Sequence, residues 1–270
     1  MIRRVLSIAG SDSGGGAGIQ ADLKAFARCG VHGMTAITAI TAQSTVGVTA
    51  VHPVPPDVIV AQVDAVRRDI GVDAVKIGML ADQRTIAAVS DSLDLVPNVP
   101  VVLDPVMVAE SGAVLLDPEA IAALRGLIAR VTVITPNIPE ARELAGDAPP
   151  EQLARDLFAL GPRYVVVTGG HSDDGADLFF DGTRVVRIEG ELHRGGATHG
   201  SGCTHSSALA AQLALGAEPL EAARVARRIA SDAVRDGLRE LGAGAGPVDV
   251  LGLSSDPASS PPDGARQLRS

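Results

Sequence analysis

The sequence predicts an α/β fold with a mostly parallel central sheet, helices on both faces of that sheet, and a small antiparallel hairpin at one edge. From Arg3 to about Leu238, short β-branched runs alternate with longer helical stretches, the pattern of parallel strands joined by helical crossovers. Two later runs flank Asp181-Gly182, a dipeptide that tolerates the positive φ angles of a tight hairpin turn. With 270 residues and 46% hydrophobic content, the chain can form one large core.

The strands are predicted from β-branched runs. Those of the parallel sheet are residues 5–9, 34–40, 74–77, 101–103, 131–135 and 164–168, and those of the hairpin are 176–180 and 183–188. Between the first strands, Ile19, Leu23 and Phe26 recur at helical spacing, so this segment is expected to lay one apolar face on the sheet. The triplet at 59, 63 and 66 predicts a second such helix.

Two Ala-rich periodic segments, 203–215 and 220–238, predict consecutive helices separated at Gly216 and Pro219. A single domain is therefore expected over residues 1–250. The segment 251–270 is predicted to be a disordered tail, since its Ser, Pro, Asp and Gly residues offer little to bury.

Composition restricts the class of ligand. The 23 basic and 32 acidic residues give a net charge of −9, which argues against general binding to nucleic acid or to an anionic membrane surface. The five aromatic residues include no Trp, so a stacking platform for single strands is not expected. No apolar run approaches the ~20 residues of a membrane span. A small molecule is the expected partner.

Cysteine usage indicates a reducing compartment. Cys29 and Cys203 are too few for a disulfide framework or a metal cluster. The apolar run near the N-terminus is interrupted by Gly, Asp and Ser before a signal-peptide core can form. A cytoplasmic location is therefore expected.

A glycine-rich segment, residues 10–18, follows a strand and opens a helix, where free N–H groups can meet a polar or anionic ligand. A dinucleotide fingerprint requires an acidic residue about 20 positions later, but residues 35–56 contain none. The alternative is a turn whose glycines only permit close packing. A P-loop is excluded because the chain's lysines, Lys24 and Lys76, do not stand in a Gly-Lys-Ser/Thr context.

The segment 198–204 precedes an Ala-rich helix. Gly200, Ser201 and Gly202 would expose unobstructed N–H groups at the helix start, an anion hole for charge that develops on a transferred group. Cys203 would lie in the first turn, where a thiol pKa is expected to fall below its ordinary value of about 8.5, giving a thiolate able to accept a proton. The alternative is that Cys203 is a small buried hydrophobe.

Carboxylates and an amide follow two other strands. Asn137 and Glu140 are three residues apart at a helix start, where their oxygens can organise water around Mg²⁺ or can simply form a capping box. Asp104 ends the strand 101–103, at the edge where open α/β sheets bind ligands. Its carboxylate can help to neutralise a cation or can cap a turn.

Seven segments, in this order, together resemble one family. They are Gly-Ser-Asp-Ser-Gly-Gly-Gly-Ala-Gly-Ile-Gln-Ala-Asp from Gly10, Thr-Ala-Gln-Ser-Thr from Thr41, Val-Lys-Ile-Gly-Met-Leu from Val75, Asp-Pro-Val-Met from Asp104, Thr-Pro-Asn-Ile-Pro-Glu from Thr135, Gly-Gly-His from Gly169 and His-Gly-Ser-Gly-Cys-Thr from His199. The chain resembles the bacterial hydroxymethylpyrimidine/phosphomethylpyrimidine kinases of thiamine biosynthesis over about residues 3–250. That family belongs to the ribokinase-like superfamily.

The resemblance implies a ribokinase-like fold, ATP and Mg²⁺ as cofactors, and two successive phosphoryl transfers to 4-amino-5-hydroxymethyl-2-methylpyrimidine and then to its monophosphate. It implies a homodimer as well. Carried over residue by residue, Cys203 is the catalytic base, with Gly200, Ser201 and Gly202 as the anion hole. The implied substrate-binding residues are Gln43, Ala17, Met79, Val106, Gly10 and Asp22. The implied nucleotide or phosphate residues are Asn137, Thr168 and Gly170, and the implied metal residues are Asp104 and Glu140.

The chain departs from the family pattern at four positions. Ser201 replaces a commoner Thr and keeps the hydroxyl, while Ser44 replaces a usual Asn beside the substrate-binding glutamine. His205 takes a position that is usually apolar. Thr168 stands where many relatives carry Lys, which removes a phosphate contact.

Three other functions compete with this one. A pyridoxal kinase of the same superfamily acts on a similar hydroxymethyl-bearing heterocycle, and sequence separates the two poorly. A non-catalytic pyrimidine-binding protein is expected to have lost the Gly-Ser-Gly-Cys segment, which this chain retains. A dinucleotide oxidoreductase fits the glycine spacing and the missing acidic residue least well.

Overall fold

The computed structural model describes residues 1–169, 175–193 and 195–254, and it confirms the predicted α/β fold. Ten strands are found in these ranges: β1 Arg4–Ala9, β2 His32–Ile37, β3 Ala39–Ser44, β4 Gly47–Pro53, β5 Ala74–Ile77, β6 Val101–Leu103, β7 Val133–Ile134, β8 Tyr164–Val167, β9 Asp177–Phe180 and β10 Val185–Ile188. Eight of them form one sheet in the order β10-β9-β8-β7-β6-β5-β1-β2. The pairs from β2 to β8 are all parallel.

The antiparallel edge lies where the sequence predicts it. Strand β9 pairs antiparallel with both β8 and β10. The turn between β9 and β10 contains Gly182 at φ +88°, a left-handed conformation that favours glycine. The hairpin that Asp181-Gly182 predicts is therefore confirmed.

A second sheet was missed. The predicted strand 34–40 is interrupted at Thr38, whose hydroxyl donates to the carbonyl of Met79 at 2.7 Å. Beyond this point the chain leaves the main sheet, and β3 pairs antiparallel with β4 as a separate two-stranded sheet. An apolar run predicts extended backbone but does not say which neighbour the strand will pair with, so the sequence could not reveal the break.

The described helices alternate with the strands, as predicted. They are α1 Gly18–Arg28, α2 Pro56–Asp69, α3 Gln83–Leu93, α4 Ile121–Ile128, α5 Ile138–Ala145, α6 Pro150–Ala159, α7 Ser201–Ala214 and α8 Pro219–Arg235, with a short 3₁₀ turn at Pro118–Ala120 before α4. None of those within the described ranges combines the length and apolar character needed to cross a membrane.

Helices cover both faces because successive strand residues point to opposite sides. Leu6 and Ile8 of β1 belong to the core cluster that includes residues of α2 to α6, whereas Val5 belongs to the cluster that includes residues of α1, α7 and α8. Leu23 departs from the predicted apolar face of α1, since it remains 37% exposed while Ile19 and Phe26 are buried. It lies at the rim of the helix, over Gly33 of β2.

Helix α7 is buried along most of its length, packed between α1 and α8. Its buried alanines at 208, 210, 211 and 214 allow the close approach. Because the parallel strands all run the same way, their carboxyl ends meet at one edge of the sheet, and α7 begins at that edge.

The first residues of the predicted tail are held by hydrogen bonds. The amides of Leu253 and Ser254 donate to the Asp249 carboxylate, at 2.9 and 2.7 Å. Residues 255–270 of the predicted tail lie outside the described residues.

Candidate active site

A cavity of about 330 Å³ lies at the carboxyl edge of the sheet. The residues that follow five neighbouring parallel strands line it: Gly10, Met79, Asp104, Thr135 and Thr168. This edge is where open α/β sheets bind ligands, and the volume suits a small molecule.

The structure brings most of the predicted site residues together around this cavity. The lining includes Gly10, Ala17, Gln43, Met79, Asp104, Val106, Asn137, Glu140, Thr168, Gly200, Ser201, Gly202 and Cys203. Two predicted residues differ. Asp22 is fully buried and is not part of the lining, while Gly170 lies outside the described residues.

Asp12 organises the glycine-rich loop. Its carboxylate accepts hydrogen bonds from the amides of Gly14 at 2.8 Å, Gly16 at 3.0 Å and Ala17 at 2.8 Å. His199, which precedes the α7 start, lies 2.9 Å from the same carboxylate through Nε2. Burial raises the pKa of Asp12, but the His199 and amide hydrogen bonds outweigh it, so the net pKa lies below the ordinary value. One carboxylate therefore joins the two loops that border the cavity.

Gln43 lies on β3 at the other side of the glycine-rich loop. Its backbone amide donates to the hydroxyl of Ser13 at 2.9 Å, and that hydroxyl donates to the carbonyl of Thr41 at 2.9 Å. The side-chain amide of Gln43 offers both a donor and an acceptor to a ligand in the cavity. Met79 lies against Gly10, where a Cβ would come within 2.9 Å of its sulfur.

The α7 start is closed on one side and open on the other. Gly200 has φ +85°, and a Cβ there would collide with the carbonyl oxygen of Gly16, so only glycine fits. A Cβ on Gly202 would meet only the Asp104 carboxylate, at 4.0 Å. The Ser201 amide donates to the carbonyl of Thr198 at 3.0 Å. The amides of Gly202 and Cys203 have no backbone or side-chain oxygen acceptor among the described residues. These two amides can receive an anion from the cavity.

Cys203 lines the cavity and is half-buried. Burial raises the pKa of its thiol to about 12, with smaller increases from Asp22 and Asp104. The Lys76 ammonium and the Gly18 amide lower the pKa but do not outweigh burial. The prediction of a lowered thiol pKa is therefore wrong for this structure, because a helix start in the interior brings desolvation together with its dipole.

Lys76 lies beneath the cavity in a network that sequence reasoning missed. Its ammonium is 2.8 Å from Asp22 and 4.0 Å from Asp104, and its side chain is fully buried. Burial lowers the pKa of Lys76, but Asp22, Cys203 and Asp104 outweigh it and hold the pKa above its ordinary value. A lysine inside an otherwise apolar four-residue strand was the signal for this network, since a buried charge requires a partner.

Asp22 completes that network. It accepts hydrogen bonds from the hydroxyls of Ser7 at 2.6 Å and Ser207 at 2.8 Å. Ser206, on the next position of α7, donates to Asp104 at 3.0 Å. The charge of Lys76 is thus held between two carboxylates that α7 orients, directly below Cys203.

The α5 start is closed by its own side chains. Asn137 accepts from the Glu140 amide at 2.9 Å, and Glu140 accepts from the Asn137 amide at 3.0 Å, a complete capping box. Burial raises the pKa of Glu140 to about 8, with a contribution from the negative charge of Asp104. Within the described ranges, no three His, Cys, Asp or Glu residues cluster closely enough to hold a metal ion by themselves.

Thr168 extends β8 toward the α5 start. Its amide donates to the carbonyl of Pro136 at 2.9 Å, and its backbone bridges in parallel to Asn137. Thr168 and Asn137 are therefore held side by side on the cavity wall. The hydroxyl of Thr168 brings no charge to this wall.

The fold and the site together define a class of protein. A helix start with free amides, a thiol over a buried ion network, and a glutamine pocket share one cavity at the carboxyl edge of an α/β sheet. The structure is similar to that of a Bacillus subtilis pyridoxal kinase, described as an ADP complex, with a TM-score of 0.86 and 38% identity over 95% of this chain and 100% of that one. The class is that of ribokinase-like vitamin kinases.

The family follows from the sequence comparisons. The phosphomethylpyrimidine kinase family matches residues 12–249, and the chain belongs to this family. A hydroxymethylpyrimidine/phosphomethylpyrimidine kinase of Rhizobium meliloti is 49% identical over 253 residues, covering 90% of this chain and 95% of the relative. A phosphomethylpyrimidine kinase structure from Clostridium difficile is 40% identical, with a TM-score of 0.77 over 86% of this chain and 99% of that one.

Proposed function

We propose that this protein transfers the γ-phosphoryl group of ATP to the hydroxymethyl oxygen of 4-amino-5-hydroxymethyl-2-methylpyrimidine, and then a second phosphoryl group to the monophosphate. The observation that carries the proposal is the meeting of free α7 amides, the Cys203 thiol and Gln43 in one cavity. Membership of the phosphomethylpyrimidine kinase family supports the choice of substrate.

The pyrimidine is held between the glycine-rich loop and β3. The Gln43 side chain hydrogen-bonds the aminopyrimidine edge, because its amide matches one donor and one acceptor of the ring. Ala17, Met79 and Val106 give the pocket apolar walls. Gly10 leaves room for the ring beside Met79.

The transfer step places charge at the α7 start. A bond forms between the hydroxymethyl oxygen and the γ-phosphorus as the bond from that phosphorus to the ADP oxygen breaks. The Gly202 and Cys203 amides stabilise the negative charge on the moving group. The hydroxyl proton passes to the Cys203 sulfur in its thiolate form, which the Lys76 ammonium favours. A loose phosphoryl-transfer transition state depends chiefly on positioning, so a small thiolate fraction is sufficient.

Asp104 and Glu140 would hold Mg²⁺. This ion needs only one or two carboxylates when phosphates and water supply its other ligands. Burial raises the pKa of both carboxyl groups, and the charge of Asp104 raises that of Glu140 further, so a cation is favoured beside them. When bound, Mg²⁺ neutralises phosphate charge, while Asn137 and Thr168 line the neighbouring wall for the nucleotide.

The experiment that tests this function is a coupled assay for ADP release with ATP, Mg²⁺ and the pyrimidine. Turnover with both the alcohol and its monophosphate is expected. The Gln43→Ala variant should weaken pyrimidine binding by about tenfold, the loss of one or two hydrogen bonds, with nucleotide binding unchanged. Absence of turnover with purified protein would favour a non-catalytic binding protein. An equal weakening of pyrimidine and nucleotide binding in Gln43→Ala would contradict the role of Gln43.

Pyridoxal is the second candidate substrate, because the similar Bacillus subtilis structure at a TM-score of 0.86 is named a pyridoxal kinase. It also presents a hydroxymethyl group on a nitrogen heterocycle. The same assay with pyridoxal decides between them. A higher kcat/KM for pyridoxal than for the pyrimidine would overturn the choice made here.

We also propose a homodimer that uses the small β3–β4 sheet. Every residue of β4 from Thr49 to Pro53 is exposed, and Ile40, Val46 and Val51 are 54%, 64% and 41% exposed. Apolar side chains grouped on a protruding sheet are typical of an interface. Light scattering should give the mass of a dimer, and the Val51→Lys variant should shift that mass toward the monomer.

A cytoplasmic location is proposed as well. Cys29 and Cys203 are both free thiols, a state that a reducing compartment maintains. Fractionation of cells that express the tagged protein would test this location.

A further inference from the structure

A buried polar cluster lies at the end of the cavity away from Gln43. It consists of Asp177, the first residue of β9, His205 of α7 and Arg227 of α8, and all three line the cavity. Their side chains are 1%, 5% and 13% exposed. Four strand spacings of about 4.8 Å separate β1 from β8, so this end is on the order of 19 Å from the pyrimidine end.

The cluster is incompletely paired. His205 Nε2 is 3.2 Å from Asp177 Oδ2, and Arg227 Nε is 3.9 Å from Asp177 Oδ1. Neither contact meets hydrogen-bond geometry, and both imidazole nitrogens, Asp177 Oδ2 and Arg227 Nε have no hydrogen-bond partner in the described part of the chain. Buried polar atoms without partners are rare and costly, and they require an explanation.

The cluster nevertheless fixes the backbone around the cavity. Asp177 accepts a hydrogen bond from the Gly169 amide at 2.8 Å, next to Thr168 on the cavity wall. Arg227 donates to the carbonyls of Gly175 and Glu191. Asp177 therefore holds the Gly169 amide, Arg227 ties the carbonyls of Gly175 and Glu191 to α8, and His205 of α7 lies against Asp177 without a hydrogen bond.

This end is the place for the nucleotide if the proposed function holds. The pyrimidine residues lie on β3, in the glycine-rich loop and after β5 and β6, and a Cβ on Gly202, the neighbour of Cys203, would lie 4.0 Å from the Asp104 carboxylate after β6. In an in-line transfer the ADP oxygen leaves on the side of the phosphorus opposite to the attacking hydroxymethyl oxygen, so the donor occupies the end of the cavity away from the pyrimidine. The segments that the cluster holds are therefore the walls that meet the donor.

We propose that Asp177, His205 and Arg227 are positioning residues for the nucleotide. The cluster holds the Gly169 amide and the Gly175 and Glu191 carbonyls in the positions that suit ATP or ADP, and it acts through the backbone rather than by contact with the phosphates. His205 places an imidazole nitrogen 3.2 Å from Asp177 Oδ2, beside the carboxylate that holds the Gly169 amide.

The test compares nucleotide and pyrimidine affinities in three variants by calorimetry, with MgADP and the pyrimidine as separate ligands. Asp177→Ala is expected to weaken ADP binding by at least about tenfold, because the Gly169 amide loses its acceptor. His205→Leu should weaken ADP binding by roughly threefold, because it leaves Asp177 beside an apolar side chain, and His205→Gln, which keeps a polar N–H group there, should recover most of that loss. The pyrimidine affinity should stay within about twofold throughout, so KM for ATP rises while KM for the pyrimidine does not.

Asp73→Asn is the matched control. Asp73 pairs with Arg4 at 2.8 Å, just before β5 and hence at the opposite edge of the sheet. This variant loses an ion pair without touching the cavity, so its urea midpoint reports the effect of stability alone. ADP affinity in Asp73→Asn should equal that of the wild type.

Several outcomes would overturn the proposal. These are unchanged ADP affinity in folded Asp177→Ala, an equal weakening of ADP and pyrimidine binding, or an ADP loss in Asp73→Asn as large as that in Asp177→Ala. If Asp177→Ala does not fold, unchanged ADP affinity in His205→Leu overturns it. ADP binding by a wild-type protein that does not phosphorylate the pyrimidine would remove the substrate assignment alone, whereas no ADP binding at all would remove both.

Discussion

Two helix starts border the same cavity and are built in opposite ways. The α5 start is closed by the reciprocal hydrogen bonds of Asn137 and Glu140. The α7 start has Gly200 as its cap, makes no side-chain capping bond, and leaves the Gly202 and Cys203 amides free. Both helix starts carry the same partial positive charge, so the difference lies in what already occupies the amides.

The difference shows which helix start binds an anion. At α5 the capping side chains accept from the amides of Asn137 and Glu140, and the Glu140 carboxyl group on the cavity wall suits a cation. At α7 glycines keep side chains away from the amides, and the energetic cost of leaving them open is recovered when a phosphate binds. The α5 start contributes stability and cation binding, and the α7 start contributes the chemistry.

The largest expected effect is at the α7 start. Cys203→Ala should lower kcat by about 10²–10⁴-fold if the sulfur is the base, with pyrimidine affinity nearly intact. Because the pKa of Cys203 is about 12, the thiolate fraction grows tenfold per pH unit at neutral pH, so wild-type kcat should rise between pH 6 and 9. The rise of kcat with pH should be absent in Cys203→Ala. Cys29→Ala is the control, and unchanged turnover in Cys203→Ala would remove the sulfur from the mechanism.

The next effect concerns the carboxyl group at the α5 start. The pKa of Glu140 is about 8 in the folded protein against an ordinary 4.5, so between these values the folded protein keeps a proton that the unfolded chain has released. The contribution of Glu140 to the free energy of unfolding should therefore be fully present below about pH 4.5 and be lost as the pH rises toward 8.

Glu140→Gln keeps the capping box but cannot titrate, so its stability advantage over wild type should grow by on the order of 2 kcal/mol from pH 5 to pH 8. Urea denaturation across this range measures the change. The exposed Glu143→Gln on the same helix should run parallel to wild type. A stability difference between wild type and Glu140→Gln that stays constant with pH would contradict the burial of a proton at Glu140.

A smaller effect is expected from filling the open side of the α7 start. The Gly202→Ala methyl group would meet only Asp104, so the fold should tolerate it, but it would occupy space in front of the free amides. A fall in kcat/KM of about tenfold is expected, with no loss in thermal midpoint. Gly126→Ala, in an exposed part of α4, is the matched control and should gain about 0.5–1 kcal/mol with full activity. Full activity in Gly202→Ala would place the phosphate elsewhere.

The smallest expected effect is a difference in unfolding free energy between variants at the two helix starts. Asn137→Ala removes the side-chain cap of α5 and should cost about 1 kcal/mol of unfolding free energy. Ser201→Ala should cost close to nothing, because the Ser201 side chain does not cap α7. Equal losses in urea denaturation would show that the two starts do not differ as described.

Sequence reasoning recovered the components of the site more completely than their electrostatics. The glycine-rich loop, Gln43, Asp104, the α5 start and the α7 start were all identified, and the structure brings them to one cavity. Asp22 was expected to bind substrate but is fully buried outside the cavity lining, paired with Lys76. The thiol pKa was expected to fall and instead rises, because burial is a property of the whole fold rather than of the helix start.

Local patterns decided what the chain by itself could decide: alternating strands and helices, the Asp181-Gly182 hairpin, and the capping and glycine motifs at helix starts. These depend on backbone preferences and on residues a few positions apart. Only the tertiary structure decided that β3 leaves the main sheet, that Lys76 lies under Cys203, and that Asp177 meets residues from α7 and α8. Such relations join residues far apart in sequence, and their energies depend on how deeply the folded chain buries each charge.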